Sequence, residues 1–211
     1  FSLLFLFGSI NNIELNKNLI HEIKEVKVIG LGDKNNLNLS DEIKNLDIKN
    51  IFFINKEEIF NIINSNNLIE KYEIYKKYPS SLFVNIVKTK FLAKINDNGK
   101  IFFIGSNGKL LIENSSHKNL PFIFGSPSIQ EFLEIKNTID DSKFLYKDIK
   151  NFYFFPSKRW DLELQNNMII KLPQNNIKET LELVSNFIIS TELKEIKIID
   201  ARIKNQIILN E

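Results

Sequence analysis

Cysteine does not occur in the 211-residue chain. Its absence removes disulfides, thiolate nucleophiles and cysteine-ligated zinc together, and leaves the compartment unread. Histidine is nearly missing too. His21 and His117 are the only two, they lie far apart in sequence, and neither has a neighbour at metal or triad spacing. An excess of one charge is also lacking: 28 basic and 26 acidic residues leave a formal net charge of +2. Lysines alternate with acids along most segments, so no basic face of the kind that attracts nucleic acid is built. Arginine is scarce. Only Arg159 and Arg202 occur, in Arg159-Trp160-Asp161 and Asp200-Ala201-Arg202, and Trp160 is the single tryptophan. A guanidinium offers a rigid fork to a carboxylate and lysine does not, so these are the positions where geometry is expected to matter.

Motifs for small-molecule chemistry are missing as well. Gly30-Leu31-Gly32 lacks the third glycine of a dinucleotide loop, and Gly105-Ser106-Asn107-Gly108-Lys109 is too short for a phosphate loop, so both read as turns. Asp140-Asp141 and Glu57-Glu58 are adjacent pairs that point in different directions, not a facing acid and base. No cofactor, metal or small-molecule substrate is indicated, and an enzyme reading has no residues to stand on.

What is present is enough apolar content, 43%, to build a packed core as one large domain or two small ones. Val26-Lys27-Val28-Ile29 reads as a short strand closed by Gly30 and Gly32. Ser40 is placed as the cap of a short helix carrying Ile43 and Leu46, and Asn55 as the cap of a second with Glu57 and Glu58 in its first turn and Ile59, Ile62 and Ile63 at helical spacing. Two β-prone segments follow, at 69–75 and 82–87, separated by a turn through Pro79. A second unit starts near Phe91. Asp97-Asn98-Gly99 and Ser106-Asn107-Gly108 bracket a hairpin-like strand, Ser128 begins a helix, strands recur at 149–155, 159–165 and 168–172, and a helix at 177–189 precedes a terminal β segment at 195–209 that Lys204-Asn205 is able to break.

Period-two alternation puts Trp160, Leu162 and Leu164 on a core face and Arg159, Asp161 and Glu163 on the other, read as a solvated face with surface ion pairs. Asp200 and Arg202 share a face in the same way. The terminal β segment also admits a sharper reading, as a sheet edge whose unpaired backbone groups accept a strand from another protein. At the other end, residues 1–10 form an uncharged apolar run. Ten residues fall short of the roughly 20 that cross a bilayer, so the run is either the end of a membrane helix or a core strand, and its lack of alternation favours the helix.

From about Glu25 to Leu209 the chain resembles the FtsQ/DivIB family of bacterial cell-division proteins. In the first unit the likeness rests on Val26-Lys27-Val28-Ile29-Gly30, Ile51-Phe52-Phe53-Ile54-Asn55 and Tyr78-Pro79-Ser80-Ser81-Leu82-Phe83-Val84; in the second on Leu120-Pro121 with Gly125, Lys158-Arg159-Trp160-Asp161-Leu162, Leu172-Pro173 and Ile199-Asp200-Ala201-Arg202.

The resemblance implies an α+β fold: the end of a transmembrane helix and a juxtamembrane segment at 1–20, a POTRA domain at 21–91 with strand, helix, helix, strand, strand order, and a mainly antiparallel β domain with two helices at 92–211. It implies a non-catalytic divisome scaffold, anchored in the inner membrane by a single N-terminal helix with its domains in the periplasm at the septum. The partners it implies are an FtsB/FtsL-type pair and, through them, the septal peptidoglycan synthase, with an FtsB segment adding a strand at the C-terminal edge. By position that edge is Asp200, Arg202, Ile203, Asn205, Gln206, Ile207, Ile208 and Leu209, with Arg202 placed to clamp a partner carboxylate. Arg159, Trp160 and Asp161 are expected to support the sheet. The competing reading is a POTRA-bearing protein of outer-membrane assembly or secretion that binds client strands.

Overall fold

The computed structural model describes residues 22–46, 48, 50–112, 119–190 and 196–210. The apolar run at 1–10, His21 and His117 lie outside these residues. The chain divides into two compact units, the first closing at Thr89 and the second opening at Lys90. Among the described residues the fold is α+β with four α-helices, two in each unit.

The first unit runs β1 (Glu25–Ile29), α1 (Asp33–Lys44), α2 (Lys56–Ser65), β2 (Ile69–Lys77) and β3 (Ser81–Lys88), which is the element order read from the sequence. Its sheet has the order β1-β3-β2, with β1 parallel and β2 antiparallel to the central β3. Alternation explains the core: Val26 and Val28 of β1 and Leu82, Val84 and Ile86 of β3 face Leu39 and Ile43 of α1 and Ile59 and Ile63 of α2. Gly30 ends β1 at φ 115, and a Cβ there would lie 1.9 Å from the Ile86 carbonyl oxygen, so the close strand approach requires glycine.

Asn55 caps α2 as expected, its side chain accepting from the Glu57 N–H at 3.1 Å. Ser40 does not cap α1. That helix begins seven residues earlier, after Gly32, and Ser40 is buried within it, donating its hydroxyl to the Val26 carbonyl at 2.7 Å. The tertiary bond to β1 decides its place where local propensity favoured a cap.

The second unit contains β4 (Phe91–Asp97), β5 (Lys100–Gly105), β6 (Leu110–Leu111), β7 (Phe122–Phe124), α3 (Ile129–Asp140), β8 (Ile149–Phe154), β9 (Trp160–Leu164), β10 (Ile169–Lys171), α4 (Ile177–Ser190), β11 (Ile198–Asp200) and β12 (Ile208–Asn210). They form a nine-stranded sheet in the order β12-β11-β10-β9-β8-β7-β4-β5-β6. The sheet is mixed: antiparallel hairpins are interspersed with parallel pairings of β4 with β7, β7 with β8 and β10 with β11. Two of these parallel connections, β7 to β8 and β10 to β11, carry α3 and α4 between their strands.

Register aligns one continuous apolar row across the sheet, from Ile95 through Ile123, Phe152, Leu162, Ile170 and Ile199 to Leu209. Phe132, Ile135 and Ile139 of α3 and Leu181 and Val184 of α4 belong to the same core. Each fully buried member of it, Phe152 or Ile123 for example, contributes on the order of 2 kcal/mol of burial. Ser128 starts α3 with a reciprocal cap: its hydroxyl accepts from the Glu131 N–H at 3.2 Å while Glu131 accepts from the Ser128 N–H at 2.8 Å.

The terminal β segment is not one strand. β11 and β12 are two short antiparallel strands joined by residues 201–207, where Asn205 takes φ 60 and the Gln206 N–H bonds the Ile203 carbonyl at 3.1 Å. The break falls at Lys204-Asn205 because asparagine tolerates the left-handed conformation the reversal needs.

Candidate partner-binding edge and its charged face

The side chains on the sheet face opposite the helices define the candidate site. Register brings Phe124, Tyr153, Asp161, Lys171, Asp200 and Ile208 into one row across β7, β8, β9, β10, β11 and β12. Charges alternate along its middle, Asp161 then Lys171 then Asp200, with Arg159 and Arg202 following at the strand ends. Phe124 and Tyr153 stack with ring centroids 5.0 Å apart beside them.

This face is not the solvated surface that alternation suggested. Asp161 is 5% and Glu163 9% exposed, because long neighbouring side chains fold over them. Arg159 donates from Nε to Asp161 Oδ1 at 3.2 Å, and its guanidinium lies 4.4 Å from the centre of the Phe155 ring. Burial pushes the Asp161 carboxyl above its ordinary range, opposed by the charge of Arg159 and, more weakly, by Lys171 and Arg202.

Glu163 has the contrary balance. Asn151 Nδ2 donates to it at 2.8 Å, Lys150 Nζ at 2.9 Å and the Tyr153 hydroxyl at 2.7 Å, and these bonds hold its carboxyl down at about 2. Trp160 sits on the opposite side, 3% exposed, packed edge-on to Phe152 at 6.0 Å. Asp161 and Arg159 thus brace one face of β9 while Trp160 anchors the other.

The residues expected at the docking edge separate into three settings. Asp200 is in β11, one strand inside the edge. Arg202, Ile203, Asn205, Gln206 and Ile207 belong to the connecting loop, with Ile203 52% exposed and Ile207 packed against the core. Ile208 and Leu209 lie in β12, which is the outer strand of the sheet and pairs with β11 alone among the described strands. All of its three residues are exposed.

Arg202 grips Asp200 through Nε, at 2.8 Å from Oδ1 and 3.0 Å from Oδ2, and through Nη2. That fork holds the Asp200 carboxyl below its ordinary range. The same loop, with Pro173, Asn176 and Glu179 at the start of α4, lines a groove of about 280 Å³ to which Arg202, Lys204 and Asn205 contribute.

Lys150, Asn151, Tyr153 and Lys171 were not singled out by sequence reasoning. Their signal is weak: each is an ordinary polar residue on a β-prone segment, and only cross-strand register assembles them around Glu163 and Asp161. Chemically, the site is equipped to pair backbone with backbone along β12 and to match charge with charge beside it.

The fold and site define an α+β protein whose mixed sheet ends, among the described strands, on a short exposed strand beside an ordered row of charges. Residues 86–202 match the family model described as "Cell division protein FtsQ/DivIB, C-terminal", which is more than half of the chain. The chain belongs to the FtsQ/DivIB family of cell-division proteins. The matched span includes Arg159, Trp160, Asp161, Asp200 and Arg202 and stops before β12.

Among curated relatives, the chain is 24% identical over 159 residues to the cell division protein FtsQ of Rickettsia bellii, covering 74% of this chain and 60% of that protein. It is 27% identical over 106 residues to the cell division protein DivIB of Clostridium tetani, covering 49% of this chain and 40% of that one. The chain thus spans less than two thirds of the length of these relatives. A solved structure of the major extracytoplasmic domain of DivIB from Geobacillus stearothermophilus aligns with 12% identity and a TM-score of 0.36, over 48% of this chain and 90% of that one.

Proposed function

We propose that this chain is the extracytoplasmic part of a non-catalytic division scaffold, and that β12 is where a partner's strand is added to its sheet. The single observation that carries the reading is the position of Ile208–Asn210 as the exposed outer strand of a nine-stranded sheet. An added strand gains main-chain hydrogen bonds along such an edge, and side chains on alternate positions supply selectivity. The partner is an FtsB-like segment of an FtsB/FtsL-type pair, through which the septal peptidoglycan synthase is regulated.

In this reading Arg202 acts through its second edge. Nε and Nη2 already hold Asp200, so a partner carboxylate is met by the remaining Nη1 side of the guanidinium. Ile203 and Ile208 offer apolar contact on either side of the loop. The first unit serves as the POTRA domain of the scaffold, and residues 1–10 as the end of the single membrane helix that anchors it; no helix among the described residues is long and apolar enough to cross a membrane.

The test is binding of an FtsB-like peptide, followed by calorimetry, to the chain and to a form lacking residues 203–211. Loss of binding with both units still folded by circular dichroism is expected. A proline scan sharpens it: at positions 208, 209 and 210 backbone N–H groups point alternately inward and outward, so proline at an outward N–H abolishes binding and leaves melting little changed. Undiminished binding by the shortened chain overturns the reading.

A further inference from the structure

The first unit exposes an aromatic cluster that its own core does not use. Phe53 is 84%, Tyr78 56% and Phe52 51% exposed, although each is large enough to be buried elsewhere in so small a unit. Phe52 and Phe53 lie on a short 3₁₀ turn at Ile51–Phe53, and Tyr78 on the turn between β2 and β3. The two turns are held together: the Phe52 and Tyr78 rings stack at 4.9 Å, and Lys76 Nζ donates to the Phe52 carbonyl at 3.3 Å. The cluster is therefore an ordered knob of aromatic surface.

Its place in the fold identifies what it faces. The chain enters the unit against this same turn, with the N–H of Lys24 donating to the Ser80 carbonyl at 2.8 Å and that of Glu25 at 3.3 Å. On the proposed anchoring of residues 1–10, a run that ends 14 positions before Lys24, this is the end of the unit at which the chain arrives from the membrane. Lysines frame it. Lys24 and Lys77 are exposed there, Lys76 bridges the turns, and Lys27 and Lys77 lie 6.0 and 5.5 Å from the Phe83 ring on the adjoining sheet face. Of the acidic residues at this end, Glu25 accepts from the Ser81 hydroxyl at 3.2 Å and Glu58 from Asn55 at 2.9 Å, while Glu57 stands in the first turn of α2. Exposed aromatic rings among lysines are the combination that settles at the headgroup level of a bilayer, the rings in the interface and the ammonium groups on lipid phosphates.

We infer that the Phe52, Phe53 and Tyr78 knob, with Lys24, Lys76 and Lys77, docks the first unit onto an anionic phospholipid surface. This rests on the proposed anchoring of residues 1–10 and goes beyond it, since a tether of that length, at up to about 3.6 Å per residue, leaves the unit free to stand well away from the membrane. Docking fixes the height of the first unit above the bilayer.

The chain carries its own control for the test. Trp160 is 3% exposed, so a Phe53→Trp variant adds one surface reporter to a buried and constant background, and the high exposure of Phe53 makes the exchange mild. The full chain is reconstituted with phosphatidylethanolamine and phosphatidylglycerol vesicles whose phosphatidylglycerol has brominated acyl chains. The expected result is blue-shifted emission from the reporter, quenched about twofold or more by the bromines, with quenching cut several-fold by Lys76→Glu with Lys77→Glu and in phosphatidylcholine vesicles of equal bromine content.

A chain that floats with the vesicles while its reporter keeps water-like, unquenched emission overturns the docking and leaves the anchor standing. A chain that fails to float shows no affinity of the knob for these vesicles and overturns the docking; the anchor, which needs roughly 20 apolar residues, is not decided by that outcome. A blue shift without bromine quenching reports a protein contact and overturns the lipid assignment.

Discussion

Arg202 reaches back two residues to close a fork on Asp200, its Nε 2.8 Å from one carboxylate oxygen and 3.0 Å from the other. The backbone N–H of Arg202 also donates to Asp200 Oδ1, at 3.2 Å, so side chain and main chain together fix the start of the loop that leads to β12. Lysine has no planar fork and cannot copy this. In Arg202→Lys, the Asp200 carboxyl is expected to rise from its lowered position towards the ordinary range, measured by carbon-detected titration of the side chain. Binding of the proposed FtsB-like peptide is expected to weaken about tenfold, because the charge-assisted contact from the Nη1 side of the guanidinium is lost. An unchanged Asp200 titration would show that the fork is not formed in solution.

Arg159 compensates a buried carboxylate. Because burial raises the Asp161 pKa, the ionised form costs stability once pH exceeds the unfolded value, and Arg159 offsets part of that cost. Arg159→Met is expected to destabilise the second unit by about 1–3 kcal/mol at pH 7. The deficit shrinks as pH falls and Asp161 is protonated in both states. Urea unfolding at neutral and acidic pH measures this; an equal deficit at both assigns the loss to packing on Phe155 instead.

Glu163 carries the opposite sign. Its folded pKa of about 2 lies below the ordinary 4.5, so its stabilisation is present above the unfolded value and drains away as pH falls from about 5 towards 2. Glu163→Gln is expected to cost about 1–2 kcal/mol at pH 7 and to flatten the acid limb of the stability curve over that window. Retention of the full acid limb in the variant counts against this assignment.

Two glycines should respond differently to alanine although both have positive φ. At Gly30 a Cβ would meet the Ile86 carbonyl oxygen at 1.9 Å, whereas at Gly32, φ 90, no atom lies within 4 Å. Gly32→Ala therefore bears only conformational strain, on the order of 1–3 kcal/mol for its φ 90, ψ 155 backbone. Gly30→Ala must also part β1 from β3 and is expected to cost upwards of about 3 kcal/mol, read as loss of the first unit's unfolding transition. Similar melting of the two variants would contradict the close approach.

Much of the fold was legible because it is local. Asn55 and Ser128 cap the helices they were placed on, and the Asn98-Gly99 turn, with φ 50 and 80, joins β4 to β5. Ser40 was misplaced because its hydroxyl serves a strand 14 residues earlier, a bond no local pattern encodes. Asp161 and Glu163 were placed on the right face but in the wrong environment. Alternation gives the direction of a side chain, whereas burial depends on Arg159, Lys150, Asn151 and Tyr153 closing over it.

By itself the sequence determined the local elements: strand faces with period two, helix starts with a capping side chain, and turns where asparagine or glycine accepts positive φ. It also excluded thiol chemistry outright and carried, in residues 86–202, the match to the family model. Only the tertiary structure decided that β12 is the outer strand, that Asp200 lies one strand inside it, and that the Arg202 guanidinium is engaged with Asp200. The reason is one of range. Caps and turns are settled within a few residues, while strand order and register are fixed by pairings between segments tens of residues apart, and the edge is whichever strand those pairings leave outermost.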